Sequence, residues 1–211
     1  MFVPIEEKLK KIIPNVDQHD EFEYYKQILP KMIANGHAAH QTIPGYKDCK
    51  PEIEAFRWFD NINIPVHGYC DLKGKVIIED KCKFPKRGRV KKDGTRSWLT
   101  NKLPEEKPDS FHLLQIDFYY SVFKLPVYMC YINEESYKVF SADNCDDLKP
   151  ENIEKRIPKI IQRCKIRQNL MKISTDPKVV KDYIQPQFDH YFWRNEMEEN
   201  YLPDAMKFWE S

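Results

Sequence analysis

Gly68-Tyr69-Cys70-Asp71-Leu72-Lys73-Gly74-Lys75-Val76-Ile77-Ile78-Glu79-Asp80-Lys81 is the stretch on which the fold turns. Apolar residues gather just before it, in Ile64-Pro65-Val66, and inside it, in Val76-Ile77-Ile78, while Lys73-Gly74 supplies a turn; together these predict a β-hairpin. Side chains alternate across a strand, so Glu79 and Lys81 share one face and Asp80 points away. Asp71, close to the turn, can then approach Glu79 across the pair. Two converging carboxylates offer hard oxygen ligands for Mg²⁺ or Mn²⁺, and a lysine two residues on can orient or help deprotonate a water. The acid-x-Lys pattern itself occurs seven times in the chain, and most copies are solvated surface pairs. Only Glu79–Lys81 closes an apolar strand with Gly-x-x-Asp just upstream.

Working outward, residues 5–12 and about 20–42 read as helices. Asp20 can cap the second, Pro30 is expected to break or restart it, and Ile33, His37 and His40 follow helical spacing. After the hairpin, a loop of roughly 25 residues rich in Lys, Arg, Gly and Pro is expected to run to about Asp109, a length usual only in functional or disordered segments. Phe111, Leu114, Gln115, Phe118, Tyr119 and Val122 then set a helical periodicity. Val127–Ile132 and Tyr137–Phe140 suggest a second hairpin turning at Asn133-Glu134-Glu135. Residues 149–172 read as an amphipathic helix interrupted at Pro158, and the tail carries Phe188, Tyr191, Phe192, Trp193, Tyr201, Phe208 and Trp209 at spacings that suit packing. There is no internal repeat. The 211 residues suffice for one substantial core and show no composition break, so a single domain is expected, with its core at about 20–145 and a helical extension at about 149–211.

A net charge of +1 conceals an uneven distribution. From Lys81 to Lys102 there are nine basic residues (Lys81, Lys83, Lys86, Arg87, Arg89, Lys91, Lys92, Arg96 and Lys102) against one acid, Asp93. Emerging directly from the Glu79–Lys81 strand, this segment can bind a phosphate backbone without reading sequence, and Trp98 could stack on a base. The six cysteines contain no C-x-x-C and follow no secretory signal, so reduced thiols, no disulfide framework and no zinc site are expected. No apolar stretch approaches the roughly 20 residues of a membrane span, which predicts a cytoplasmic protein with no membrane partner.

Four motifs in order make the sequence resemble the RecB-like branch of the PD-(D/E)XK nuclease superfamily, which includes CRISPR-associated and mitochondrial genome-maintenance exonucleases. Gly36-His37-Ala38-Ala39-His40 matches G-x-x-x-H, Gly68-Tyr69-Cys70-Asp71 matches G-x-x-D, Glu79-Asp80-Lys81 matches E-x-K, and Gln115-Ile116-Asp117-Phe118-Tyr119 matches Q-x-x-x-Y. They span residues 36–119. A second Q-x-x-x-Y at Gln187–Tyr191 lies out of order.

The resemblance implies an α/β, restriction-endonuclease-like core: a central mixed sheet from the 53–84 and 127–140 strands, flanked by the 20–42 and 110–124 helices, with a helical C-terminal extension. It implies metal ligation by His40, Asp71, Glu79 and the backbone carbonyl of Asp80, with Lys81 serving the nucleophilic water. Gln115 and Tyr119 would line the site, contacting DNA or supporting the lysine. His37, one turn from His40, reads as packing or solvent-facing, His67 and His112 carry no motif and read as structural, and Cys70 and Cys82 read as small buried hydrophobes. Some relatives hold an iron–sulfur cluster through one upstream cysteine and a close C-terminal group; here nothing precedes Cys49, and Cys130, Cys145 and Cys164 are dispersed, so no cluster is expected. The implied activity is Mg²⁺- or Mn²⁺-dependent exonucleolytic hydrolysis of DNA, in recombination, repair or phage DNA processing. The alternatives are a structure-specific or sequence-tolerant endonuclease, and a non-catalytic DNA-binding subunit on a nuclease fold.

Overall fold

The computed structural model describes residues 19–90, 92, 96–184, 188 and 201–210. The helix expected at 5–12 lies outside them, as do Lys91, Tyr191, Phe192 and Trp193. By compactness the chain forms two units, a larger one drawn from Met1–Trp58 and Pro65–Ile160 and a smaller one drawn from Phe59–Ile64 and Ile161–Ser211.

The larger unit is α/β. Its five-stranded mixed sheet has the order β1 (Lys50–Arg57), β2 (Val66–Lys73), β3 (Ile77–Cys82), β6 (Val127–Ile132), β7 (Tyr137–Phe140). Every pair is antiparallel except β3–β6, which is parallel and therefore needs a long crossover. That crossover contains a small second sheet, β4 (Lys86–Val90) with β5 (Arg96–Leu99), followed by the helix Ser110–Phe123. The long helices are numbered in chain order: α1 (His19–Gln41), α2 (Ser110–Phe123) and α3 (Pro150–Ile173).

Lys73-Gly74 makes the expected turn, with the Gly74 amide donating to the Val76 carbonyl at 3.0 Å. Only glycine fits there, because a Cβ at position 74 would lie 2.9 Å from the Asp48 carbonyl oxygen. At the other hairpin, the Asn133 side-chain oxygen accepts from the Glu135 and Ser136 amides at 3.0 and 2.8 Å. An Asn oxygen that satisfies two turn amides explains why the chain reverses where it does.

Strand alternation divides the core. Ile78, Cys130 and Ile132 face α1 and pack with Ile28, Met32, Ala39 and Ile43. Ile77, Met129 and Tyr131 are fully buried, and α2 brings Ile116 and Tyr119 to the sheet. β6 is apolar nearly throughout and β3 opens on Ile77 and Ile78, as suits parallel strands covered on both faces, whereas Glu79, Asp80 and Lys81 break that pattern on β3.

Three expectations need correction. α1 runs through Pro30 and α3 through Pro158 without interruption. A helix tolerates proline when surrounding packing outweighs the lost hydrogen bond, and Ile28 and Met32 on α1 are buried on either side of Pro30. The expected 25-residue loop contains the β4–β5 hairpin. Trp98 on β5 stacks on Tyr24 of α1, with ring centroids 4.2 Å apart and planes 2° from parallel, and meets Tyr25 edge-on. Just past β5, the Thr100 hydroxyl shares its proton between carboxylate oxygens of Glu134 and Glu135 at 2.7 and 2.8 Å, so the hairpin is anchored at the end of its return strand.

In the smaller unit, Phe59 and Ile62 are buried, and Gln168 binds the 61–63 backbone by accepting from the Asn63 amide and donating to the Asn61 carbonyl. A short helix α4 (Pro177–Val180) precedes α5 (Leu202–Glu210). Trp209 packs edge-on against Phe188 and Phe208, while Tyr201 is exposed.

One buried ion pair ties α3 to α2. Arg156 donates to both oxygens of Asp117, at 2.8 and 3.0 Å, and to the Asp147 carbonyl at 2.6 Å. Asp117 has no solvent exposure. Arg156→Ala leaves that carboxylate buried without compensation and is expected to cost about 3–5 kcal/mol in urea unfolding. Arg156→Met combined with Asp117→Leu should recover most of the loss. A single mutant within about 0.5 kcal/mol of wild type would show that water replaces the guanidinium.

Candidate catalytic site on the central strand

The site is assembled where β2 and β3 part company. Their ladder pairs Lys73 with Ile77 and Leu72 with Ile78. One step further, the Asp80 amide donates to a side-chain oxygen of Asp71 at 2.8 Å. Asp71 thus takes up a backbone donor released where the ladder ends, which fixes its carboxyl beside β3.

Glu79, with 1% of its surface exposed, points to the α2 side. The Lys81 ammonium donates to Glu79 Oε1 at 2.6 Å and to Gln115 Oε1 at 2.8 Å. Gln115 in turn donates through Nε2 to the Tyr119 hydroxyl at 3.0 Å, and that hydroxyl donates to the Tyr69 carbonyl at 2.6 Å. The i,i+4 spacing places Gln115 and Tyr119 on one face of α2. Each link fixes the next: the amide must turn its oxygen to the lysine, so its nitrogen meets the phenol, whose proton goes to β2. Tyr119 can lie this close because residue 68 is glycine; a Cβ there would stand 3.3 Å from its ring. Gly68, Asp71, Glu79, Lys81, Gln115 and Tyr119 therefore form one continuous arrangement.

Its electrostatics are those of a carboxylate pair short of positive charge. Burial pushes the Glu79 carboxyl up to about 7, against the opposing effect of Lys81. Burial also raises Asp71, opposed by the Asp80 amide and Lys81. Among the described residues, no hydrogen-bond partner meets the buried Glu79 Oε2. A buried oxygen without a donor is costly unless something else satisfies it. This donor set has the chemistry that a hard divalent cation would require, and Glu79, Asp71 and the Asp80 carbonyl could hold one.

His40 does not join them. Its Nε2 lies 2.9 and 3.0 Å from the two Asp80 carboxylate oxygens. Among the described residues, the group whose ligand atoms gather within 4.8 Å of one another is His40, Asp80 and Cys130, not His40, Asp71 and Glu79. Strand alternation supplies the reason: Asp80 faces α1, and the end of α1 brings His40 to that side. The family motif assigns Asp80 only a carbonyl and gives Cys130 no role. A carboxylate at the middle position of E-x-K was the available signal, but the β3–β6 register that puts Cys130 opposite Asp80 is not written in either strand.

Of the expected DNA-binding residues, Lys83 is committed within the protein, donating to Asp109 at 2.6 Å. Trp98 gives one ring face to Tyr24. Lys86 on β4 and Lys92 are exposed. Arg87, Arg89 and Arg96 lie on β4 and β5, with side chains outside the described set. His112 accepts a structural role: its Nδ1 lies 2.8 Å from the Tyr131 hydroxyl, and burial, then Lys81, lower it to about 4. Cys70 is buried, as expected, but Cys82 is exposed.

No family model matches the chain, and no curated protein matches it. Among solved structures, one described as "Crystal structure of SSO0001" aligns with 79% of this chain and 71% of its own, at 16% identity and a TM-score of 0.37. Likeness at that level says nothing about activity. No helix among the described residues is long and apolar enough to cross a membrane.

The raised Glu79 carboxyl has a measurable consequence. A group held above its unfolded value binds its proton more tightly in the folded state, so its contribution is complete below about 4.5 and lost as pH rises through about 7. Metal-free protein should therefore lose thermal stability over that window, and Glu79→Gln should lose less of it. Parallel pH profiles for the two proteins would show that Glu79 is not held protonated.

Proposed function

We propose that the chain is a divalent-cation-dependent deoxyribonuclease of the PD-(D/E)XK type, acting as an exonuclease. The observation that carries this reading is the Lys81 ammonium held between Glu79 and Gln115 beside a buried carboxylate oxygen with no donor. Supporting it, residues of three of the four ordered motifs are joined by hydrogen bonds at β3, and the basic hairpin follows that strand directly.

A bound Mg²⁺ or Mn²⁺ would supply Lewis acidity and charge neutralisation at the scissile phosphate. Asp71, Glu79 and the Asp80 carbonyl are the groups to hold it. Lys81 has three ammonium donors, two of them committed to Glu79 and Gln115. The remaining one is available to orient a water or hold a phosphate oxygen. Gln115 keeps the ammonium from swinging away, and Tyr119 keeps Gln115 in place through the Tyr69 carbonyl. Exposed Lys86 and Lys92, with Arg87, Arg89, Lys91 and Arg96 of the same segment, would attract the DNA backbone regardless of sequence. A cytoplasmic site of action and a role in DNA recombination or repair belong to this proposal.

Lys81→Ala should lower hydrolysis of end-labelled DNA by about 10²–10⁴-fold while leaving DNA binding and Mn²⁺ affinity near wild type, because lysine acts on the water and is no ligand. Asp71→Ala and Glu79→Ala should lose Mn²⁺ binding in calorimetry together with activity. Wild-type turnover by Lys81→Ala would remove it from the mechanism. Resistance of covalently closed circles is expected of an exonuclease, and their cleavage would favour an endonuclease.

Neutralising Lys86, Arg87, Arg89, Lys91 and Lys92 together removes phosphate contacts and no proposed ligand. Binding should weaken, with turnover at saturating DNA changed less. For single strands the slope of log K against log salt is about −0.7 per phosphate contacted, so losing two contacts should flatten it by about 1.4. An unchanged slope would move the DNA path away from this hairpin.

A further inference from the structure

We infer that His40, Asp80 and Cys130 form a separate site for a borderline transition-metal ion of the zinc class, on the side of β3 opposite Glu79 and Lys81. Imidazole nitrogen, carboxylate oxygen and thiol sulfur come together there, all within 4.8 Å of one another. Three secondary-structure elements hold them: His40 at the end of α1, and Asp80 and Cys130 as register partners on the parallel strands β3 and β6. Cys130 has no exposed surface, whereas the side chains of His40 and Asp80 are 13% and 24% exposed. A buried thiol beneath two partly exposed ligands gives the cluster access from solvent through His40 and Asp80. The Tyr46 ring packs against His40 at 4.9 Å and restrains the imidazole.

The donor set selects the ion. Zinc takes nitrogen at about 2.0–2.1 Å, sulfur at about 2.3 Å and carboxylate oxygen at about 2.0–2.2 Å, in tetrahedral sites where three protein ligands can leave the fourth position to water. Those lengths put neighbouring ligand atoms roughly 3.3–3.6 Å apart. The present arrangement brackets that spacing: the His40–Asp80 contact is 2.9 Å and all three ligand atoms lie within 4.8 Å of one another. On coordination, the ion replaces the Cys130 thiol proton, which leaves to solvent, and the sulfur becomes a thiolate ligand. Mg²⁺ prefers octahedral oxygen and should avoid such a site. Asp80 thereby serves two purposes through different atoms, its carboxylate here and its amide on Asp71. This inference stands independently of the nuclease reading, because it concerns other ligand atoms and a different class of metal.

The test is Co²⁺ titration of the reduced full chain, read by thiolate-to-cobalt charge-transfer absorption and tetrahedral d–d bands. An oxygen-ligand site formed by Asp71 and Glu79 cannot produce the charge-transfer band, so the two sites are told apart even if DNA is never cleaved. Wild type should show both signatures, Zn²⁺ should displace the cobalt, and excess Mg²⁺ should not. Cys130→Ser should abolish the charge-transfer band, while Cys82→Ser, which removes the exposed thiol two residues from Asp80, should keep it. His40→Ala and Asp80→Asn should each weaken Co²⁺ binding by at least about tenfold. Absence of the band in wild type, or its survival in Cys130→Ser, overturns the site. If Cys130→Ser does not fold, the partly exposed His40 decides: unchanged cobalt affinity in His40→Ala overturns it as well.

Discussion

The contact between the Lys81 ammonium and the buried Glu79 carboxyl constrains everything around it. Desolvating both groups costs several kcal/mol per ion, and one hydrogen-bonded contact does not offset that unless the remaining donors and acceptors are also met. The chain meets them selectively. Gln115 takes a second ammonium proton, Tyr119 orients Gln115, and the Tyr69 carbonyl orients Tyr119, so a strand, a helix and a second strand are locked into one geometry. Among the described residues, Glu79 Oε2 is left without a donor. An arrangement that commits two of the lysine's three donors and leaves a carboxylate oxygen bare is poorly suited to stability alone and well suited to receiving a cation.

The pleat of β3 explains why two kinds of ligand chemistry occur within three residues. Glu79 and Lys81 face α2, where neighbouring donors and acceptors are oxygen and nitrogen of Gln115 and Tyr119. Asp80 faces α1, where it meets an imidazole and a thiol. Backbone links the two sides, since the Asp80 amide is held by Asp71. A change of one residue in register would exchange the faces and abolish both arrangements.

Much of the core was legible because its signals are local. Lys73-Gly74 marked its turn, Asn133 marked another, and alternation placed Glu79 with Lys81 and apart from Asp80. Gln115 and Tyr119 were readable as a pair on one helical face. What escaped depended on distant partners. Pro30 and Pro158 argue locally for breaks that tertiary packing overrides. The β4–β5 hairpin, Lys-Arg-Gly-Arg-Val against Arg-Ser-Trp-Leu, has almost no apolar alternation, and its anchor on Tyr24 and Tyr25 lies some 70 residues earlier. Trp98 and Lys83 looked available for DNA because Tyr24 and Asp109 could not be identified as their partners. The Asp117–Arg156 pair, 39 positions apart, was hidden for the same reason.

The central claim is that this side of β3 hydrolyses DNA with a divalent cation, and metal-free protein mixed with linear DNA tests it most directly. With chelator present, DNA should be bound but no nucleotide released; adding Mg²⁺ or Mn²⁺ should start release from the ends. Release in excess chelator, or none with either cation while DNA remains bound, would contradict the account.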